Sequence, residues 1–334
     1  MTATMREGTI LAAESVDRLL EGCERREAWK GADSLSGSRF ERVVFDGIPF
    51  VVKYAIVDDD WIMRATGDLG CRQLTLLSSG VLGSLPVSID HTIAGYAPFT
   101  SSGGHRGLAL LMRDVSPALV PSGSEPISLD LHRRFIASMA ALHAAYWGFQ
   151  GGTDRFPLAH HYVFLTPTMA ELETATPHAD PVPPAVAEGW RRLDLRYPED
   201  ARRLRGLAND PWPLVAALAA GPQTLIHGDW KLGNLGSDAA RTILLDWDRT
   251  GEGPPLVDLA WYLGVNCDRL PETKEDTIAA YRAGLESAGV STASWWDAQL
   301  AAALAGGFLQ LAWSKTEDAA EFGWWSERFA AWIP

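Results

Sequence analysis

The chain has 334 residues, 47% of them hydrophobic and 21% charged, with a formal net charge of -13 at pH 7. That balance excludes a disordered chain and allows about two folded lobes. The negative charge argues against broad binding to nucleic acid or anionic membranes, since both rely on clustered Lys and Arg. No window reaches the ~18 uninterrupted apolar residues of a membrane span. The opening stretch MTATMREGTILAAESVDRLLEG also lacks the basic region, apolar run and cleavage site of a leader, so a cytoplasmic location is expected. Cys23, Cys71 and Cys267 are odd in number and show no CxxC spacing, which points to structural thiols rather than a zinc site or a disulfide framework.

In chain order, FERVVFDGIPFVVKY comes first, with two β-branched and aromatic arms around Asp46-Gly47, the signal of a hairpin. A helical stretch follows over Asp60 to Leu77. A second β-like pair lies around HTIAGYAPF and GLALLMRDV, with Gly103-Gly104 between its arms. The expected class is therefore α+β: residues 1–115 form a small β-rich lobe, and residues 116–334 a larger, mainly helical one. Leu131, Phe135, Met139 and Leu142 share one face of the helix in ISLDLHRRFIASMAALHAAYWG. Residues 150–220 are rich in Pro, Arg and Asp, with helical patches of weak periodicity, and the tail from Lys274 to Trp332 turns helical again.

The chemistry concentrates in LIHGDWKLGNLGSDAARTILLDWD, Leu225 to Asp248. Gln223 to Ile226 and Thr242 to Leu245 read as short strands, each ending on a polar turn. If the strands are neighbours, both turns reach the same end. Asn234 lies five positions after Asp229, and Asp246 twelve further on. A carboxylate that orients a hydroxyl, with an amide oxygen and a second carboxylate as hard ligands, suits magnesium-dependent phosphoryl transfer. Lys231 adds a positive charge two residues from Asp229.

HGDWKLGNLG followed by LLDWD resembles the catalytic and metal-binding loops of the aminoglycoside phosphotransferase and choline kinase family, relatives of the protein kinases with the same bilobal fold. The kinase pattern H-R-D-x-x-x-x-N is met with Gly228 in the Arg position, as in the small-molecule branch. The resemblance implies a transfer of the γ-phosphate of ATP to the hydroxyl of a small molecule, with Mg2+ as cofactor. It makes Asp229 the base or hydroxyl-orienting residue, with Asn234 and Asp246 as metal ligands. His227 would brace the loop, and Asp258 would hydrogen-bond it from the following helix. It also assigns nucleotide contacts to Lys53 at the end of FVVKY, to the Gly/Ser-rich turn with Ser36, Gly37 and Ser38, and to main-chain groups near Met112 to Asp114. ALHAAYW extends the likeness ahead of the catalytic loop, and no GxxxxGK[ST] occurs.

One feature departs from the family. The helix after Lys53 reads DLGCRQLTLLSSG, without the Glu that would pair with that lysine, leaving Gln73 or Asp68 as its counterpart. That gap keeps open a non-catalytic protein that binds nucleotide or a small ligand. Asp248 reads as a further ligand or as an acid behind the site. Of the fourteen Trp, Trp324 and Trp325 stand close to Glu317, Asp318 and Glu321, a candidate acceptor wall unless these acids simply face solvent. An aminoglycoside-like antibiotic, an amino sugar and an amino alcohol all fit as acceptor.

Overall fold

Alternating side chains organise the N-terminal part of the molecule. The computed structural model describes residues 9–29, 36–151, 155–178, 180–238 and 240–332. It opens with β1 (Leu11–Ala12), α1 (Val16–Leu19), β2 (Arg25–Trp29), β3 (Arg39–Phe45) and β4 (Ile48–Ala55). β3 and β4 are the expected hairpin, with Asp46 (φ 48°) and Gly47 (φ 76°) both left-handed at its tip. In β4, Val52 and Tyr54 pack on one face with Leu19 and Leu20 of α1. Lys53 therefore points to the other face, beside Val51 and Ala55. That face is covered by α2 (Trp61–Ala65) and α3 (Arg72–Ser78). The single helix expected over Asp60 to Leu77 is thus two, interrupted at Gly67 (φ 62°) and Cys71 (φ 57°).

β5 (Ile89–Asp90) precedes the second expected pair, β6 (Ile93–Thr100) and β7 (Arg106–Arg113). Among the described residues the main sheet runs β1-β6-β7-β4-β3-β2, antiparallel except for β1 against β6. The chain then enters a helical body through α4 (Leu129–Ala145), which buries Phe135, Met139 and Leu142 on the face foreseen for it. The weakly patterned region 150–220 is more helical than its sequence implies, with α5 (Pro167–Thr174), α6 (Val182–Arg196), α7 (Pro198–Asn209) and α8 (Trp212–Ala219). Tertiary burial of Val186, Trp190, Leu193 and Leu204 outweighs the weak local pattern there.

The motif region follows as β8 (Thr224–Ile226), β9 (Leu235–Ser237), β10 (Thr242–Leu244) and β11 (Gly251–Gly253). β8 and β10 are not paired neighbours. β8 pairs with β11, while β10 lies between β5 and β9. α9 (Leu256–Val265) follows, buried on every side from Leu256 to Gly264. α11 (Trp296–Leu311) packs against it and also carries α12 (Ala319–Trp332) and α8, while α10 (Lys274–Ser287) lies chiefly on α4, so α11 is the hub of the helical body. Among the described residues no helix is long and apolar enough to cross a membrane.

Candidate active site

The loop after β8 is held from beneath by α9. Asp258 is wholly buried and accepts from the main-chain N–H of His227 and of Gly228, each at 2.7 Å. Its Oδ2 also meets His143 Nε2 at 3.1 Å. Gly228 sits at φ +81°, and a Cβ there would come within 2.4 Å of the Arg249 carbonyl oxygen. The backbone itself excludes the Arg of the kinase pattern at this point. His227 Nδ1 accepts from the Asp229 N–H at 3.2 Å, and Nε2 lies 2.9 Å from the Leu245 carbonyl. That pattern requires the neutral Nε2–H tautomer, and burial holds the imidazole pKa below its ordinary value. His227 is a brace between the two loops.

Asp229 is ringed by donors. Lys231 Nζ stands 2.8 Å from Oδ2, Asn234 Nδ2 donates to the same oxygen at 2.9 Å, and Trp261 Nε1 donates to Oδ1 at 3.0 Å. Arg249 also pairs with Oδ1, its guanidinium lying over the rings of Trp261 and Phe164. Burial opposes ionisation of this carboxyl, but Arg249 and Lys231 outweigh it and keep it well below the usual carboxylate range. Such a carboxylate is a poor proton acceptor and a good fixed acceptor of a hydroxyl hydrogen bond. Arg249 follows Asp246 by three positions and escaped the sequence reading, because nothing local says that it turns back onto Asp229.

Asp246, two residues beyond β10, holds a left-handed conformation, φ 66° and ψ 66°, costly for a residue with a Cβ. Its carboxylate contacts Lys53, and Asp248 lies 3.6 Å from the same ammonium. Burial disfavours the Lys53 ammonium, yet Asp246, Asp248 and Asp60 more than offset it and raise the pKa. At Asp248, burial and then Asp246 push the carboxyl up to about 7. Neither sequence candidate pairs with Lys53. Both oxygens of Asp68 accept from the Arg72 N–H at 3.0 Å to cap α3, and Gln73 is buried with no hydrogen-bond partner for its amide in the protein.

The residues fit a magnesium ion. Asn234 gives its amide nitrogen to Asp229, at 3.0 Å from the main-chain oxygen and 2.9 Å from the carboxylate. Its amide oxygen is thereby turned away from Asp229. The Leu245 N–H donates to the Asn234 carbonyl at 2.9 Å, locking the two loops together. No cage of three His, Cys, Asp or Glu exists among the described residues. Magnesium needs none when one or two protein oxygens and substrate phosphates complete its shell.

The family model of the phosphotransferase enzyme family matches residues 90–291, well over half of the chain. The chain belongs to this family. Its match begins at β5 and runs through the catalytic loop, Asp246 and α10, in agreement with the resemblance carried by HGDWKLGN and LLDWD. No curated protein matches the sequence of this phosphotransferase. Among solved structures it is similar to the choline kinase LicA from Streptococcus pneumoniae, at 13% identity and a TM-score of 0.48, covering 94% of this chain and 96% of that one. It is likewise similar to an aminoglycoside-3'-phosphotransferase of type VIII, at 19% identity and 0.47, covering 86% and 93%. A microcompartment-associated aminopropanol kinase gives 15% identity and 0.47, covering 91% and 90%.

The remaining sequence candidates of this phosphotransferase sit as follows. Ser36 Oγ and Ser38 Oγ lie 3.2 Å apart, Ser38 donates to Asp60 at 3.1 Å, and Gly37 at φ +90° packs where a Cβ would meet the Asp59 carbonyl. Gly31 to Leu35 of that turn lie outside the described residues. Met112 is near the end of β7, and Asp114 begins the connection to the helical body. The Asp114 carboxylate accepts from Ser116 and pairs with Arg42 at 3.1 Å. The proposed acceptor wall is differently employed: Glu321 pairs with Lys274 and accepts from Trp325, Glu317 pairs with Arg196, and Asp318 caps α12. These acids have partners within the protein, because helix packing brings bases from α6 and α10 against them.

Proposed function

We propose that this phosphotransferase moves the γ-phosphate of ATP to a hydroxyl of a small molecule. The acceptor classes that fit are an aminoglycoside-like antibiotic, an amino sugar or an amino alcohol. The observation that carries this reading is that Lys53 pairs with Asp246 while Lys231 and Asn234 pair with Asp229, on two loops locked together by the Leu245 N–H on the Asn234 carbonyl and drawn from both parts of the fold. Magnesium held by Asn234 and Asp246 would supply charge neutralisation on the phosphates. Lys53 would bind the phosphates once its ammonium is shared with them, and Ser36 to Ser38 would close over them. The main chain between Met112 and Asp114 would receive the base. Asp229 fixes the acceptor hydroxyl in line, while Lys231 and Arg249 hold that carboxylate still and place positive charge beside the transferred group. The acids around Lys53 support the catalytic reading over a non-catalytic one, since the lysine has counter-charge without the missing Glu.

The test is magnesium-dependent ADP release from ATP across a panel of aminoglycosides, amino sugars, other hydroxylated antibiotics and amino alcohols. One class should stimulate release. Asp229→Ala should lower that rate by about 10²–10⁴-fold with nucleotide binding largely kept, and Asp246→Ala should weaken metal-dependent nucleotide binding. Wild-type turnover in Asp229→Ala would sink the assignment.

A further inference from the structure

Lys53 is 5% exposed, so its ammonium must find counter-charge inside the protein. Two of its acids, Asp246 and Asp248, lie on the segment that would hold magnesium. A metal ion on Asp246 competes with Lys53 for that carboxylate. A third acid, Asp60, approaches the lysine from the small-lobe side. Asp60 is 2% exposed and caps α2, its Oδ1 accepting from the N–H of Ile62 at 2.9 Å and of Met63 at 3.1 Å. Its Oδ2 accepts from Ser38 Oγ at 3.1 Å. Ser38 immediately precedes β3, on which Phe40 is the register partner of Lys53. Asp60 and Asp248 line one small cavity together with Gln73 and Arg249, and Asp248 lies 3.6 Å from the Lys53 ammonium, so Asp60 shares the pocket beside the lysine without pairing with it. The Trp61 N–H donates to the Ser36 carbonyl at 3.1 Å, so the start of α2 grips both ends of the Ser36–Ser38 turn.

We propose that Asp60 is a positioning residue for the nucleotide: it ties the Ser36–Ser38 turn to α2 and remains beside Lys53 as counter-charge when Asp246 engages a metal ion. This rests on the phosphotransferase reading above. The rival is a carboxylate that only caps α2. Asn caps a helix about as well as Asp, so Asp60→Asn keeps the cap and removes the charge.

The experiment is calorimetric titration of the purified chain with ADP and magnesium, alongside thermal melting. Asp60→Asn should melt near the wild type and bind at least about tenfold more weakly, the scale of one lost charged interaction. Gln73 faces the same cavity with neither amide atom bonded to protein, so adding Gln73→Glu to Asp60→Asn should restore most of the affinity. A cap-only role gives no such rescue. Binding by Asp60→Asn equal to wild type, or a loss that Gln73→Glu leaves untouched, overturns the proposal. If Asp60→Asn fails to fold, Ser38→Ala, which removes the hydrogen bond that ties the turn to Asp60 together with the Ser36 contact, must still weaken binding, and wild-type affinity there overturns it. Absence of ADP binding by the wild type would overturn the phosphotransferase reading and this one together, whereas an intact wild type with an unaffected Asp60→Asn overturns this one alone.

Discussion

At the scale of single residues, the site is built from charges whose ordinary behaviour has been displaced. His161 is 1% exposed, packs against the ring of Phe156, and has no protein hydrogen-bond partner at either ring nitrogen. Burial and the nearby Arg249 push its pKa down to about 3. The unfolded chain takes up that proton near the ordinary value of ~6.5. Between those values the unfolded state binds more protons, so acidification destabilises the fold by ~1.4 kcal/mol per pH unit from this residue. Asp248 works in the opposite sense, because its carboxyl is pushed up to about 7 and the folded state gains its proton first as pH falls. The two slopes partly cancel in the wild type, and a variant separates them. His161→Phe should gain about 2 kcal/mol relative to wild type between pH 7 and pH 5 in denaturant unfolding, whatever constant offset the larger ring adds. A difference independent of pH would show that His161 is not neutral in the fold. Asp229 acts in the same sense as His161 at lower pH: held ionised by Arg249 and Lys231, it contributes stability above the ordinary carboxylate range that is lost as pH falls toward its depressed value.

At the scale of elements, the loop Ile226 to Asn234 is fixed by its two neighbours rather than by its own propensity. α9 supplies Asp258 from below, and the turn after β10 presses the Arg249 carbonyl against Gly228 from above. A side chain at position 228 meets both a left-handed backbone and that carbonyl. Gly228→Ala should therefore cost about 1–3 kcal/mol of stability and displace Asp229 from its donors, read as a lower melting temperature together with slower phosphoryl transfer. Wild-type stability and rate in that variant would mean that the loop yields easily. The same logic explains which part of the motif was legible in the sequence and which was not. The candidates His227, Asp229, Asn234 and Asp246 were legible because all four lie in one short stretch of sequence that resembles the family's motif. The pairing of β8 with β11 was not, because three-residue strands carry no signal of which partner they choose.

Across the whole molecule, the sheet and the helical body are strapped together on α2. Arg64 pairs with Glu173 at 2.9 Å and with Asp180 at 2.8 Å, all three largely buried, and Trp61 meets the ring of Phe164. Phe164 in turn lies against Arg249, which holds Asp229. Docking of the two parts is thus linked through packed side chains to Asp229, the carboxylate proposed to orient the acceptor. Arg64→Ala leaves two buried carboxylates without their cation and should destabilise the protein by ~3–5 kcal/mol, with faster proteolysis between α5 and α6 as the second measurement. An unchanged melting temperature and cleavage rate would reduce the strap to a surface contact.

The sequence by itself determined the α+β class, the hairpin that delivers Lys53, and which residues to propose as catalytic and metal-binding, because alternation and turn chemistry are local properties and the motif that resembles the family lies in one short stretch. Tertiary structure alone decided which charges meet. Lys53 and Asp246 are 193 positions apart, and the choice of Asp246, Asp248 and Asp60 over Gln73 or Asp68 as acids near that lysine follows from how the sheet docks on the helical body. Arg249 on Asp229 and Arg64 on Glu173 and Asp180 belong to the same class. A charge pair forms where folding brings two groups within a few ångströms and removes the water between them, and nothing in the order of residues along the chain records that distance.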